Sequence, residues 1–268
     1  MLLQRWLMVL SAILALAPAV PARAAPAETA FDALLAEYVS EQPDGINRVD
    51  YARWSMTRKD RDHLHEVIAD LETRQPSRMT RDEYLAYWIN IYNAVTLQVV
   101  LGAYPVASIR DIRSDGLLDP KAYFGPWRTK RVTVEGRRYS LDDIEHVAVR
   151  PVSKDPRVHY AVNCASLGCP SLRPRAWRAA TLAVDLDQAA RAFINNPRGV
   201  RIVGPGKLHV SSIYTWFESD FASDGGVLAH VRKFADPPLA DAIDRGASIV
   251  DSSYDWTLNE SAPRAPRS

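Results

Sequence analysis

Apolar residues at helical spacing organise the first third of the chain. Phe31, Leu34 and Tyr38 fall on one helical face, and the apolar positions between residues 61 and 71 predict a second amphipathic helix. A turn over residues 43–45, with the sequence Pro-Asp-Gly, separates the two. The pattern therefore predicts a helical N-terminal region.

The next segment, residues 84–109, contains no charged side chain. Thr80 and Glu83 form a capping box at its start, which predicts a helix beginning there. A membrane-spanning helix is one interpretation, but polar side chains along the segment would lie in hydrocarbon, and Gly102 and Pro105 end the helix near residue 102. We therefore predict a buried core helix.

Two asparagines on this helix, Asn90 and Asn93, need hydrogen-bond partners if they are buried. An unsatisfied buried amide costs about 1 to 3 kcal/mol. Two interpretations remain open for both residues. Their amides either brace neighbouring loops or line a polar site.

A small β component follows. Alternating residues around the turn residue Gly136 predict a hairpin over residues 132–141. Ser140 then caps a short helix from Leu141 to Val149, which Pro151 is expected to end.

Glu145 lies just inside the apolar face of this short helix, and His146 lies toward its edge. A carboxylate in an apolar stripe needs a cation or several donors to remain charged. Arg150 and Arg157 are close in sequence, so a structural ion pair is one interpretation of Glu145.

Residues 158–163 alternate between apolar and other side chains, which predicts a strand. The strand would end at Cys164 and break into a loop at Gly168 and Pro170. This arrangement would present a thiol at the end of a strand, where loops commonly carry chemistry.

The strand prediction bears on which histidine could act as a base. On an extended strand, His159 would lie roughly 16 Å from Cys164, too far for proton transfer. The prediction therefore favours His146, which would reach the thiol through tertiary folding. A tight bend after Ala161 would restore His159 as a candidate.

The C-terminal third alternates helices with short strands, and Trp216 and Phe217 are predicted to be core residues. The predicted elements are a helix over 182–193, a strand pair 200–203 and 208–210, a helix over 213–221, a helix over 227–234 and a strand near 249–250. Together these elements predict a single, helix-rich α+β domain with a small, mostly antiparallel sheet.

The N-terminus has the pattern of an export signal. A positive charge in residues 1–5, an apolar run over 6–20 and the small-x-small sequence at 22–24 predict cleavage after residue 24. An uncleaved anchor is the alternative, but a run of about 15 residues is shorter than the roughly 20 that a membrane span needs, and it contains Pro18. We expect an exported protein, periplasmic or secreted, without a stable membrane span.

These boundaries divide the chain into four predicted segments: a signal peptide over 1–24, an N-terminal helical segment packed on the main domain over 25–79, the main domain over 80–259, and a disordered tail over 260–268.

Charge excludes one class of partner. Of the 33 basic side chains, Arg5 and Arg23 belong to the signal, which leaves 31 against 32 acidic side chains and a net charge of −1. The sequence has neither a basic patch nor basic residues interleaved with aromatic ones. It therefore gives little support for nucleic-acid binding. The expected partner is a small molecule or peptide whose identity the sequence does not specify.

Several blocks of the sequence resemble the domain-of-unknown-function family numbered 547, over about residues 83–259. The blocks are Tyr87-Trp-Ile-Asn-Ile-Tyr-Asn93, Ser140-Leu-Asp-Asp-Ile-Glu-His146 with Arg150, His159-Tyr-Ala-Val-Asn-Cys164 through Cys169-Pro170, Trp216 with Asp220-Phe221, and Tyr254-Asp-Trp-Thr-Leu-Asn259. The resemblance singles out five positions, Cys164, Glu145, His146, Asn90 and Asn93, whereas Cys169 is less regular in the family. It implies no assigned reaction.

The first functional hypothesis is a thiol-dependent hydrolase or acyl transferase without a cofactor. Cys164 would be the nucleophile, His146 would take its proton, and Glu145 would orient the imidazole. The residues predicted to line the site are Asn90, Asn93, His159 and Asn163. The layout is similar by analogy to papain-like and transglutaminase-like domains.

The second hypothesis is a non-catalytic binding or assembly module, stapled by a disulfide between Cys164 and Cys169. Two weaker alternatives also stay open. The cysteine spacing differs from the Cys-x-x-Cys of thioredoxin-like redox enzymes, and a metal site that uses His146, His159 and the cysteines would lack the short paired spacings of zinc motifs. We therefore predict neither a metal nor a cofactor.

Overall fold

The computed structural model describes residues 27–113 and 125–261. The predicted signal peptide and most of the predicted tail lie outside these residues. Within them the protein is helix-rich with three small sheets, which confirms the α+β class.

The N-terminal region forms a helical layer around one hairpin. Helices α1 (Ala27–Tyr38) and α3 (Arg58–Glu72) match the predicted amphipathic helices, and their apolar faces pack against each other. Between them lie a hairpin of β1 (Val39–Glu41) and β2 (Asn47–Val49) around the predicted turn, and the short helix α2 (Tyr51–Met56). The hairpin and α2 were not predicted, because segments of three to six residues carry too little periodicity.

Helix α4 (Arg81–Ala103) is the central element of the larger core. The predicted capping box is present, since the side chains of Thr80 and Glu83 each bond the backbone of the other residue. Almost every residue of α4 beyond its first turn is buried, which confirms the predicted core helix. In the part of the chain that the structure describes, no helix is long and apolar enough to cross a membrane.

Strands β3 (Val132–Val134) and β4 (Arg137–Tyr139) form a hairpin, which confirms the prediction. An irregular helix follows it. It consists of α5 (Leu141–Asp143), a π-helical segment (Ile144–Val149) and α6 (Arg150–Ser153).

The predicted end of this helix at Pro151 is wrong. In the π-helical segment the N–H of Arg150 bonds the carbonyl of Glu145 instead of that of His146. Pro151 then occupies the first turn of α6, where its missing N–H and fixed φ are tolerated. The helix therefore continues to Ser153.

The predicted strand over residues 158–163 is also wrong. Residues Pro156–Tyr160 form a 3-10 helix, which the side chain of Asp155 caps by accepting from the N–H of Arg157. Pro156 favours this turn because its φ is fixed for a helix start. The residues that alternate with the apolar ones, His159, Ala161 and Asn163, are buried as well. The alternation therefore did not mark two faces of a strand.

The C-terminal half forms a second, smaller core. Its elements are α7 (Leu182–Ile194), β5 (Val200–Gly204), β6 (Lys207–Ser211), α8 (Ile213–Trp216), a 3-10 helix (Glu218–Asp224), α9 (Val227–Phe234), α10 (Pro237–Asp244) and β7 (Ser248–Ser253). Strand β6 pairs antiparallel with β5 and parallel with β7. Helix α10 was not predicted, and the single helix predicted over 213–221 is split in two.

The split changes the surroundings of Trp216. Because α8 ends there, the side chain leaves the core and is 50% exposed, so the prediction that Trp216 is a core residue is wrong. Phe217 is only partly buried and packs at the edge of the second core.

Candidate active site

A cavity of about 220 Å³ opens beside the loop that carries Cys164. Cys164, Glu145, His146 and His159 all line this cavity, so four of the predicted site residues share one space. They come from the π-helical segment, the 3-10 helix and the loop after it.

The loop that carries Cys164 is held by asparagine side chains. Asn93 on α4 donates to the carbonyl of Ala161 at 3.0 Å and accepts from the N–H of Asn163 at 2.8 Å. Asn163 in turn donates to the carbonyl of Pro170 at 2.7 Å and accepts from the N–H of Ala165 at 2.9 Å. Neither amide lines the cavity. Their hydrogen bonds instead fix the backbone on both sides of the thiol.

Asn90 is also a brace, at a different place. Its side chain donates to the carbonyl of Trp177 at 2.9 Å and accepts from the N–H of the same residue at 2.8 Å. Asn90 borders a separate cleft rather than the cavity at Cys164. The structure thus gives both helix asparagines the bracing geometry.

The sulfur of Cys164 lies among hydrogen-bond donors. It is 2.9 Å from the hydroxyl of Tyr254, 3.4 Å from that of Ser166 and 2.9 Å from the sulfur of Cys169. Burial alone would raise the pKa of Cys164, but the hydrogen bonds from Cys169, Ser166 and Tyr254 outweigh it and lower this pKa to about 7. Ala165, next to the thiol, has a φ of 60°, an uncommon conformation for a residue with a side chain.

Cys164 and Cys169 are both free thiols in this structure. Cys169 is buried, and burial together with its hydrogen bond to Cys164 raises its pKa well above the ordinary value. Cys169 is therefore the protonated member of the pair, and its sulfur also accepts a hydrogen bond from the N–H of Cys164 at 2.9 Å. The predicted disulfide is not formed here, although the two sulfurs are adjacent.

Glu145 faces the cavity, and no described cation forms an ion pair with it. The hypothesis of an ion pair with Arg150 or Arg157 is wrong, because Arg150 pairs with Asp220, and Arg157 pairs with carboxylates on other elements. Within the described residues its carboxylate makes no hydrogen bond. Burial and the nearby thiol raise the pKa of Glu145 to about 7, and Arg150 only partly opposes them.

His146 lies at the rim of the cavity, with its side chain 39% exposed. Its Nδ1 is 2.7 Å from a guanidinium nitrogen of Arg150, and its Nε2 is 3.6 Å from a carboxylate oxygen of Asp142. Burial lowers the pKa of His146, so the imidazole is mainly neutral at pH 7 and accepts the hydrogen bond from Arg150. It makes no hydrogen bond to Cys164.

His159 is buried and fixed by a carboxylate. Its Nε2 is 2.8 Å from Asp220, and its ring stacks on Phe217 with centroids 4.2 Å apart. The same carboxylate accepts two hydrogen bonds from Arg150, at 2.6 and 2.8 Å. The predicted separation of His159 and Cys164 assumed an extended strand. Because residues 156–160 form a 3-10 helix instead, that separation does not exclude His159.

Three residues of the site, Tyr254, Ser166 and Asp220, were not among the predicted site residues. Periodicity gave no signal for them, because their roles depend on contacts across the fold. All three residues did stand in the blocks that resemble the family, and that was the available signal. In the described part of the chain, no group of three or more His, Cys, Asp or Glu side chains could hold a metal ion.

Fold and site together describe an α+β protein with a low-pKa thiol in a cavity. Residues 76–194 match a family model described as "Protein of unknown function, DUF547", which confirms the resemblance found in the sequence. Cys164, Glu145 and His146 lie within the matched residues. Trp216 and Tyr254 lie beyond the matched segment.

No curated protein and no solved structure matches the chain significantly. The layout of papain-like domains therefore stays a prediction. Cys164 lies in a loop of this fold and does not begin a helix.

Proposed function

We propose that this protein is a thiol-dependent hydrolase or acyl transferase in which Cys164 is the nucleophile. The observation that carries the proposal is the cavity-lining sulfur of Cys164, hydrogen-bonded by Tyr254, Ser166 and Cys169. With a pKa of about 7, roughly half of the thiol is thiolate at neutral pH. A neutral-pH thiolate in a cavity is the group that acyl transfer to sulfur requires.

We assign the proton to Glu145 rather than His146, since both line the cavity but His146 is engaged by Arg150 and Asp142. Burial, and then the charge of the Cys164 thiolate, raise the pKa of Glu145. A carboxyl with a pKa of about 7 exchanges protons efficiently at neutral pH. His146 remains the second candidate, since it borders the same cavity.

The thiolate of Cys164 forms a bond to the acyl carbon, and the bond from that carbon to the leaving oxygen or nitrogen breaks. The protonated carboxyl of Glu145 gives its proton to the leaving group. Water attacks the thioester in a hydrolase, or an amine or alcohol attacks it in a transferase, and Glu145 takes the proton from that attacking group. The carbon–sulfur bond of the thioester then breaks, which releases the acyl product and restores the Cys164 thiolate.

The test compares Glu145→Gln with His146→Gln, using p-nitrophenyl acetate as the acyl donor and mass spectrometry to detect acylated protein. We expect Glu145→Gln to reduce turnover by about 10² to 10⁴-fold, the usual contribution of a general acid or base. The same variant should alkylate faster at pH 7, because removing a neighbouring negative charge favours the thiolate. His146→Gln should reduce turnover by less than about tenfold.

Two controls decide the assignment. Cys164→Ala should abolish acylation, and a wild-type protein that is never acylated would contradict the proposal. If His146→Gln loses most of its turnover while Glu145→Gln stays active, His146 and not Glu145 is the group that carries the proton.

We also propose that the protein is exported, on the pattern of residues 1–24. N-terminal sequencing of the protein from cells should then begin at Ala25. Export to an oxidising compartment bears on the alternative function, a module stapled by a disulfide, which the adjacency of Cys164 and Cys169 favours. Thiol titration of the exported protein separates the two. One iodoacetamide-reactive cysteine supports the enzyme, and the absence of free thiol before reduction supports the staple.

A further inference from the structure

One wall of the cavity is aromatic. Trp216 packs against Tyr254 and Trp256, with ring centroids 4.9 and 5.8 Å apart, and Trp127 meets Trp256 edge-on at 5.7 Å. All four rings line the cavity. Half of the surface of Trp216 is exposed, so this indole is accessible to a ligand beside Cys164.

The charged groups that line the same cavity are acidic or neutral. Asp142 and Glu145 are among the described lining residues, and these include no lysine or arginine. Among the described residues, the ion-pair neighbour of the Asp142 carboxylate is Nε2 of His146 at 3.6 Å, and no described lysine or arginine pairs with it. The carboxylate therefore faces the cavity beside a mainly neutral imidazole.

Aromatic faces combined with a carboxylate attract cations and repel anions. Trp256 already takes a cation on its ring, since the guanidinium of Arg110 lies 5.3 Å from the ring centroid, outside the set of lining residues. A sugar ring would also stack on Trp216 and donate hydroxyl hydrogen bonds to Asp142, so a neutral sugar is the competing ligand that the binding test includes.

We propose that the cavity selects acyl substrates that carry an ammonium group, held against the indole of Trp216 and near the carboxylate of Asp142. That these ligands are substrates rests on the proposed function, whereas the selectivity of the cavity for a cation does not. The contribution of Trp216 and Asp142 is therefore measurable without turnover.

The binding test uses full-length Cys164→Ala protein and isothermal titration calorimetry. Choline is compared with its neutral isostere 3,3-dimethylbutan-1-ol, and with N-acetylglucosamine. We expect choline to bind at least about tenfold more tightly than the isostere, within the range of a cation–π contact assisted by a carboxylate. Trp216→Leu and Asp142→Asn should each remove most of that ratio. Asp241→Asn, which makes the same charge change on the exposed face of α10, should preserve it.

Equal affinity for choline and its isostere would overturn the proposal, as would tighter binding of the sugar, which would make the wall a sugar-stacking surface. A turnover arm compares p-nitrophenyl esters of 4-(trimethylammonio)butyrate and 5,5-dimethylhexanoate, which differ in charge but not in shape. We expect wild-type kcat/KM to favour the charged ester about tenfold and Trp216→Leu to abolish the preference. If neither ester is cleaved, the proposed function fails, and the binding comparison still decides the selectivity.

Discussion

At the scale of single residues, the reactivity of this site depends on which groups surround one sulfur. Two of the donors to Cys164, Ser166 and Cys169, are its neighbours in sequence, and the third, Tyr254, is 90 residues away. Each donor stabilises the thiolate more than the thiol, because a hydrogen bond to a charged acceptor is stronger than one to a neutral acceptor. The sequence identified the thiol but not its state of ionisation.

We expect Tyr254→Phe to raise the pKa of Cys164 above its value of about 7. Loss of the hydroxyl removes a hydrogen bond that favours the thiolate, so a smaller fraction is ionised at neutral pH. A shift of about one pH unit corresponds to a single charge-assisted hydrogen bond. The measurement is the rate of iodoacetamide alkylation between pH 5 and 9, whose midpoint should move upward.

The matched control is Tyr214→Phe. Tyr214 is buried, and its hydroxyl contacts that of Tyr160 in the second core, away from Cys164. Its alkylation midpoint should equal that of the wild type. An unchanged midpoint in Tyr254→Phe would show that Tyr254 does not stabilise the thiolate.

At the scale of elements, two irregular helices position the site. The π-helical segment carries Glu145 and His146 to the cavity, and π-helical turns are frequent at functional sites because they re-aim side chains. The loop after the 3-10 helix is not regular structure, and so its backbone depends on side chains for hydrogen bonds. Asn93 on α4 supplies two of these bonds.

We expect Asn93→Leu to lower the free energy of unfolding by about 2 to 4 kcal/mol. The leucine has a similar volume but leaves the carbonyl of Ala161 and the N–H of Asn163 without their partner in the interior. Chemical denaturation measures the loss. Alkylation of Cys164 should become less uniform, because its loop is no longer fixed.

Thr96→Val is the control on the same helix. Its hydroxyl is buried and has no hydrogen-bond partner among the described residues, so replacing it with a methyl group should be neutral or stabilising. A stability loss in Asn93→Leu no larger than that of Thr96→Val would contradict the bracing role.

At the scale of the whole molecule, the C-terminal segment completes the site by pairing with the loop of Cys164. The N–H of Leu167 bonds the carbonyl of Thr257, the N–H of Gly168 bonds that of Asp255, both at 2.8 Å, and the N–H of Asn259 bonds that of Ala165 at 3.1 Å. These bonds bring Tyr254 to the sulfur. The site therefore combines the matched family segment with the chain beyond it.

We expect Gly168→Ala to disrupt this pairing. A Cβ at Gly168 would lie 2.7 Å from the backbone nitrogen and 2.9 Å from the carbonyl oxygen of Asp255, and backbone atoms cannot move aside easily. The melting temperature should fall by several degrees, which corresponds to about 1 to 3 kcal/mol. The alkylation midpoint of Cys164 should rise as Tyr254 is displaced.

Gly102→Ala provides the comparison. No atom lies within 4 Å of a Cβ built there, and the residue is near the end of α4, so the change should be neutral or slightly stabilising. If Gly168→Ala behaves like Gly102→Ala, the C-terminal segment is not held at this point.

Features that residues close together in the sequence specify were predicted, and features that depend on distant residues were not. The amphipathic helices, the core helix with its capping box and the hairpin at Gly136 were predicted because periodicity and turn chemistry within about 20 residues specify them. The strand over residues 158–163 failed because alternation in a six-residue window cannot be distinguished from a buried 3-10 turn after Pro156. The continuation past Pro151 failed because a π-helical turn leaves no signal in the sequence pattern.

The sequence by itself determined the class of the fold, the family resemblance and the candidate thiol Cys164, since these depend on local patterns and on motifs. Only the tertiary structure decided that Arg150 pairs with Asp220, so that Glu145 has no ion-pair partner among the described residues, and that Tyr254 reaches the sulfur. The physical reason is that partners 70 to 90 residues apart are chosen by how the elements pack. The pKa values of Cys164 and Glu145 arise from that packing.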